Sequence, residues 1–251
     1  MNIQAISDLH LEMRRGYQLP VTNSDVIVLG GDISTGLRGI EFAIHQSGLH
    51  DKDVIYICGN HEFYHHDYYA LLKEIRSLAD QHPKVHFLER DELIIGDTRF
   101  LGTILWTDFL GDGSQPQEDN MGVVSFGLND FRLISNEKDY FTVEDSLQEH
   151  LKSRKWLEEK LDEPFDGNTV VVTHHAPSLL CQHPQFPFSA LSTGFLSDMA
   201  PLVVKANLWL FGHSHSNLDI QIGDCRLLAN QAGYPHEEHV KPFISDLVIE
   251  L

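Results

Sequence analysis

Basic residues are scarce. The chain has 18 lysines and arginines against 37 aspartates and glutamates, a formal net charge of −19. That balance argues against nucleic acid as a partner, because tracking a nucleic-acid backbone needs cationic side chains to neutralise its phosphates. It does not exclude a small phosphorylated ligand, since a bound pair of divalent ions would offset roughly four of the negative charges locally. Cysteine is scarce too. Cys58, Cys181 and Cys225 are odd in number and widely spaced, with no Cys-x-x-Cys pair to form a zinc knuckle or a redox motif. A reducing compartment suits them. No uninterrupted apolar stretch approaches the roughly 18 residues of a membrane span. A strand pattern begins within the first few residues, which leaves no room for the charged and apolar regions of a secretory signal. A soluble, cytoplasmic protein with no membrane partner is expected.

What the chain does contain is 42% hydrophobic and 22% charged residues over a length of 251, enough for a sizeable core. One domain spanning residues 1–251, or one domain with an inserted cap, is the expected partition. The dominant pattern is a short apolar run ending in metal-binding or proton-moving groups, and it occurs five times. Ile3 to Ile6 leads to Asp8 and His10, and Val26 to Gly31 leads to Asp32. Val54 to Cys58 leads to Gly59-Asn60-His61-Glu62. Thr169 to Thr173 leads to His174-His175-Ala176-Pro177, and Leu208 to Phe211 leads to Gly212-His213-Ser214-His215. Each run reads as a buried strand that delivers chemistry at its C-terminal end. Asp8 and His10, two positions apart, would point to one side of an extended segment.

Between the strands, Leu37 to Gln46 and Tyr69 to Leu78 carry helical apolar spacing, so β-α-β crossovers are expected. Leu93 to Gly102 reads as a hairpin turning at Gly96-Asp97, and Asp219 to Leu228 has the same shape. Two such hairpins would suit two sheets built on related plans and packed face to face. Residues 108–140 are glycine-rich with few apolar periods, yet hold too many aromatic and aliphatic groups for disorder, so they read as a lid. Within them Arg132 is a candidate phosphate clamp, because guanidinium binds oxyanions in a two-pronged fashion. A surface pairing with Asp130 or Glu137 is its plainer reading. Thr142 to Leu161 is a long helix capped by Thr142, with apolar groups at Leu147, Leu151, Trp156, Leu157 and Leu161. A shorter helix over Met199 to Val204 is also expected.

Taken together, the five strand ends resemble the calcineurin-like metallophosphoesterase superfamily. The pattern Asp-x-His, Gly-Asp, Gly-Asn-His-Glu, His and Gly-His-x-His stands here as Asp8/His10, Gly31/Asp32, Gly59 to Glu62, His174 and Gly212 to His215. The resemblance spans residues 8–215. It implies an α/β fold, a four-layer α/β/β/α sandwich of two mixed β-sheets flanked by helices, with two metal ions at the sheet ends. Carried over position by position, Asp8, His10 and His215 would hold one metal, Asn60, His174 and His213 the other, and Asp32 would bridge them. His174 rather than His175 is the implied ligand. His61 would stabilise the phosphoryl group and protonate the leaving oxygen, with Glu62 or another acid fixing its tautomer.

The residue types make chemical sense independently of the family. A carboxylate can reach two ions, which an imidazole or an amide does less readily. Mixed nitrogen and oxygen ligation without thiolate suits manganese, iron or zinc. The implied activity is hydrolysis of phosphomonoester or phosphodiester bonds in a small phosphorylated substrate, by attack of a metal-bridging hydroxide. The rivals are a non-catalytic metal-binding scaffold for protein partners and a nuclease of the same superfamily. The filled motif positions count against the first, and the missing Lys/Arg stripe counts against the second. His45, His50, His82, His86, His150 and His183 are read as ordinary histidines.

Overall fold

The computed structural model describes residues 1–14, 16–137, 139–237 and 241–251. In chain order its first elements are β1 (Asn2–Ile6), β2 (Val26–Gly30), α1 (Arg38–His50), β3 (Asp53–Ile57), α2 (Tyr68–Ala79) and β4 (Val85–Phe87). There follow β5 (Asp91–Ile95), β6 (Thr98–Thr103), α3 (Gln117–Gly127), α4 (Asp130–Leu133), β7 (Ser135–Asn136), β8 (Asp139–Tyr140) and α5 (Val143–Asp162). The last are β9 (Asn168–Thr173), α6 (Ala200–Val203), β10 (Leu208–Leu210), β11 (Leu218–Ile222), β12 (Cys225–Ala229) and β13 (Val248–Glu250). All five apolar runs are therefore strands.

Two mixed sheets carry the fold. The first has the order β13-β1-β2-β3-β4, parallel apart from β13, and the second β11-β12-β10-β9-β6-β5, parallel except at its two edge hairpins. Alternation along the strands builds the layers. On β2, Val26 and Val28 point one way and pack with Val170, Val172, Leu208 and Leu210 of the second sheet, forming a core between the sheets. Ile27 and Leu29 point the other way and meet Ile40 and Ala43 of α1 and, beyond them, Leu71 and Ile75 of α2. Outside the second sheet, Val171 and Trp209 pack with Leu157 of α5 and Leu202 of α6. The result is helices, sheet, sheet, helices, the expected four-layer sandwich.

Several local expectations need correction. The two hairpins do not belong to one sheet each; they close opposite edges of the same six-stranded sheet. Residues 108–140 are less irregular than their glycine content suggests, because α3 forms there and Phe109, Val124 and Val143 make a small core of their own. Thr142 caps α5 through a capping box with Asp145, as expected, but the buried face of that helix is largely polar. Ser146, Glu149, His150 and Ser153 face inward while Leu151 is 48% exposed. Arg90 explains part of this, since its guanidinium lies 2.8 Å from both Glu149 and Glu89. Among the described residues no helix is long and apolar enough to cross a membrane, and all three cysteines are free and buried.

Candidate metal centre

The C-terminal ends of β1, β2 and β3 in one sheet face those of β9 and β10 in the other, and the polar motifs meet in the gap. Asp8 and His10 do not reach it by strand alternation. Both lie past the end of β1 with positive φ (55° and 46°), tied by backbone bonds from Asp8 to Gly31 and from His10 to Asp32. Asp32, His213 and His215 are left-handed too, with φ of 52°, 68° and 50°. Each such residue costs on the order of 1–3 kcal/mol and persists only where the surroundings over-determine it. Gly31 and Gly59 make the close approach possible: a Cβ on Gly31 would lie 2.5 Å from His174 Nδ1, and one on Gly59 would run into Asp32 and His174.

The ligand atoms fall into two groups that share Asp32. Asp8, His10, Asp32 and His215 form one, and Asp32, His174 and His213 the other. Asp32 divides its oxygens between them, with Oδ2 3.8 Å from His10 Nε2 and Oδ1 3.4 Å from His174 Nε2. His10 Nε2 and His215 Nε2 lie 3.0 Å apart, and Asn60 Oδ1 lies 3.1 Å from His174 Nε2. Two buried atoms in the gap, Asp8 Oδ2 and His213 Nε2, have no hydrogen-bond partner among the described residues. A buried polar group without a partner is costly, and both belong to residues of the two ligand groups, where a cation would offset that cost. The donor set therefore fits a pair of metal ions. His175 stands outside both groups, its Nδ1 3.4 Å from Ile104 O.

The supporting shell presents the same face of three rings. His10 Nδ1 is 3.0 Å from Glu12, His174 Nδ1 is 3.0 Å from Gly30 O, and His215 Nδ1 is 2.6 Å from Glu237. Each acceptor fixes a proton on Nδ1 and turns Nε2 toward the gap. Burial alone would lower the His215 pKa, but Asp8 and Glu237 push it up to about 10. His174 is raised in the same way, with Asp32 overcoming burial. His213, buried beside His175 and His174, is held well below the ordinary imidazole value and is neutral. Cation binding must displace the protons that the first two hold.

Glu62 does not fix the tautomer of His61. Fully buried, it accepts hydrogen bonds from the backbone N–H groups of Asp32, Ile33 and Gly59 and from the Tyr56 hydroxyl, clamping the ends of β2 and β3 together. The acid beside His61 is Glu12, with Oε1 3.5 Å from Nδ1, while Nε2 meets the Tyr234 hydroxyl at 3.0 Å. His10, Glu12 and His61 thus form a third trio, joined through one carboxylate oxygen. Arg132 is not brought to the site. Its guanidinium donates to Phe126 O and Asn129 Oδ1, holding the turn after α3, because that exposed turn has its acceptors within reach.

Several groups besides Glu12 escape a reading of the sequence. Asp130 Oδ1 accepts from Asn60 Nδ2 and from Tyr64 Oη, each at 2.7 Å, and so turns the amide oxygen of Asn60 toward His174. Glu237 holds His215, and His183 lines the cleft. The cleft itself measures about 490 Å³. Tyr234 touches His61 directly. Replacing Asp130 with Ala is expected to weaken metal affinity about 10–100-fold, the usual cost of losing a ligand's supporting partner. Asp130→Asn should fall between. Titration followed by calorimetry checks this, and wild-type affinity in Asp130→Ala would remove Asp130 from the supporting shell.

A model of the calcineurin-like phosphoesterase family matches residues 1–217. Over 273 residues the chain is 24% identical to the uncharacterized protein L509 of Acanthamoeba polyphaga mimivirus, covering 94% of this chain and 92% of that protein. Among solved structures, phosphopantetheinyl hydrolase (PptH) from Mycobacterium tuberculosis matches with a TM-score of 0.72 at 19% identity, over 93% of this chain and 90% of that one. The protein TT1561 of Thermus thermophilus matches with a TM-score of 0.53 at 15% identity, over 92% and 88%. Both structural likenesses are of fold.

Proposed function

The chain belongs to the calcineurin-like phosphoesterase family, and from that premise we propose that it is a dinuclear-metal phosphoesterase acting on small phosphorylated substrates. Asp8, His10 and His215 would hold one ion, Asn60, His174 and His213 the other, and Asp32 would serve both. The observation that carries this reading is the division of the Asp32 oxygens between two ligand groups. When bound, such ions supply a water acidic enough to attack phosphorus near neutral pH and clamp the oxygens of an in-line displacement.

The chain's own residues supply the rest. His61 faces the cleft. Burial would lower its pKa, but Asp32 and Glu12 raise it, so the ring carries a proton above its ordinary range. As the P–O bond breaks, that proton passes to the leaving oxygen, which departs as an alcohol, and His61 is reprotonated from solvent. Asp130 and Tyr64 keep Asn60 oriented, and residues 108–140 act as a lid whose Gly127 to Asp130 segment forms one wall of the cleft. Among the described residues no Lys or Arg lines that cleft, which speaks for a compact substrate over a nucleic acid. Free buried thiols fit a reducing, cytoplasmic setting.

Hydrolysis of p-nitrophenyl phosphate and bis-p-nitrophenyl phosphate by metal-stripped protein tests the proposal. Turnover should be absent before and restored after addition of Mn²⁺, and the ratio of the two rates chooses between monoesterase and diesterase. A phosphopantetheinyl ester, the substrate class in the mycobacterial protein's name, is a natural probe to set beside them. Two bound metals with no turnover on any of these would favour the scaffold reading.

A further inference from the structure

The metal cleft does not end at the loop formed by residues 182–195. His183, Phe186, Phe195 and Ser214 line it on one side and line a second cavity of about 430 Å³ on the other. The Phe195 ring stacks on His213 at 4.8 Å, so the seam between the cavities begins at a candidate metal ligand. Phe186, 63% exposed, stands at the mouth, its ring 4.8 Å from that of His183. A chain attached to a phosphoryl group held by the ligands would cross this seam into the second cavity.

The two cavities differ in character. Among the described residues, the metal cleft contains Asp32, Asp130 and Glu237 and no Lys or Arg. Beyond the two ions and His61, a second phosphate on the substrate would meet the Asp130 and Glu237 carboxylates and no Lys or Arg. The neighbouring cavity has no Asp, Glu, Lys or Arg among the described residues of its lining. Its floor is Ala176, Cys181 and Leu196, each no more than 3% exposed and part of the apolar core outside the second sheet. Burial pushes the Cys181 thiol up to about 12, which leaves it a neutral, apolar-like group. Leu191 closes one side. Its volume lies within the roughly 300–1,000 Å³ typical of small-molecule sites, which bind largely through apolar walls.

We infer that the substrate is a phosphoester with a single phosphoryl group and an uncharged apolar substituent, seated beyond Phe186 and Phe195 against Ala176, Cys181, Leu191 and Leu196. This rests on the phosphoesterase reading and adds the substrate class to it. Charge selects against polyphosphates, and the apolar cavity selects among monophosphoryl esters by the size of the group it can bury.

A homologous series of alkyl p-nitrophenyl phosphate diesters, from methyl through hexyl, tests the inference on the Mn²⁺-loaded protein. The value of kcat/KM should rise about fourfold for each methylene that enters the cavity, the equivalent of about 0.8 kcal/mol per buried CH₂. In Leu191→Glu that dependence should flatten, and in Pro187→Glu, an exposed position on the same lining, it should weaken. Metal content of both variants is measured alongside. Turnover with no dependence on chain length would overturn the inference and leave the phosphoesterase intact. A rise unaffected by either substitution would place the alkyl group elsewhere and also overturn it. Absence of turnover both on this series and on p-nitrophenyl phosphate, with metal bound, would instead sink the phosphoesterase reading on which the inference stands.

Discussion

Asp32→Asn is expected to leave the protein folded, to remove at least one metal equivalent by elemental analysis, and to lower turnover by at least about 10²-fold, beyond the 10–100-fold typical of a supporting residue. Asp32 is 1% exposed, and its carboxylate is common to both ligand groups. Asparagine keeps the shape, so the bond that Asp32 Oδ1 accepts from the His61 backbone N–H at 2.8 Å can survive. What it lacks is the second oxygen and the negative charge. One amide oxygen can serve the His10 side or the His174 side, not both. Full metal occupancy in Asp32→Asn would contradict the bridging assignment.

His61→Ala should behave in the opposite way, retaining metal while losing about 10²–10⁴-fold in turnover, the range expected for a positioned general acid. Its two ring nitrogens face Glu12 and Tyr234, and it stands outside both groups that contain Asp32. The leaving group gives a sharper readout. p-Nitrophenolate departs readily without a proton, so the loss should be smaller on p-nitrophenyl esters than on alkyl esters of similar size. A uniform loss on both would assign His61 to phosphoryl binding alone. Parallel loss of metal and activity would move it into the ligand set, through the trio it makes with His10 and Glu12.

The parts of this site that are legible in the sequence are those where residue type and strand end coincide. An apolar run closed by Asp, Asn or His announces both a buried strand and a group with chemistry, and the seven proposed ligand positions all follow such runs. The supporting shell has no comparable signal. Asp130 reaches Asn60 across 70 positions, Glu237 reaches His215 across 22, and Tyr234 reaches His61 across 173. Only folding makes these neighbours. Glu62 stands out in its motif but its role does not, because a carboxylate that clamps three backbone N–H groups looks in sequence like one that orients a histidine. The edge hairpins are legible as hairpins, but sheet membership depends on long-range pairing that no local pattern carries. Helix α5 shows the same limit: its inward Glu149 is intelligible only once Arg90 lies beside it.

An anomalous-difference map from crystals grown with Mn²⁺ tests the central claim most directly. Two peaks are expected about 3.5–4 Å apart, the usual spacing of a two-metal clamp. One should lie among Asp8, His10, Asp32 and His215, and the other among Asp32, Asn60, His174 and His213. A single peak, or two peaks that share no contact with Asp32, would contradict the dinuclear centre.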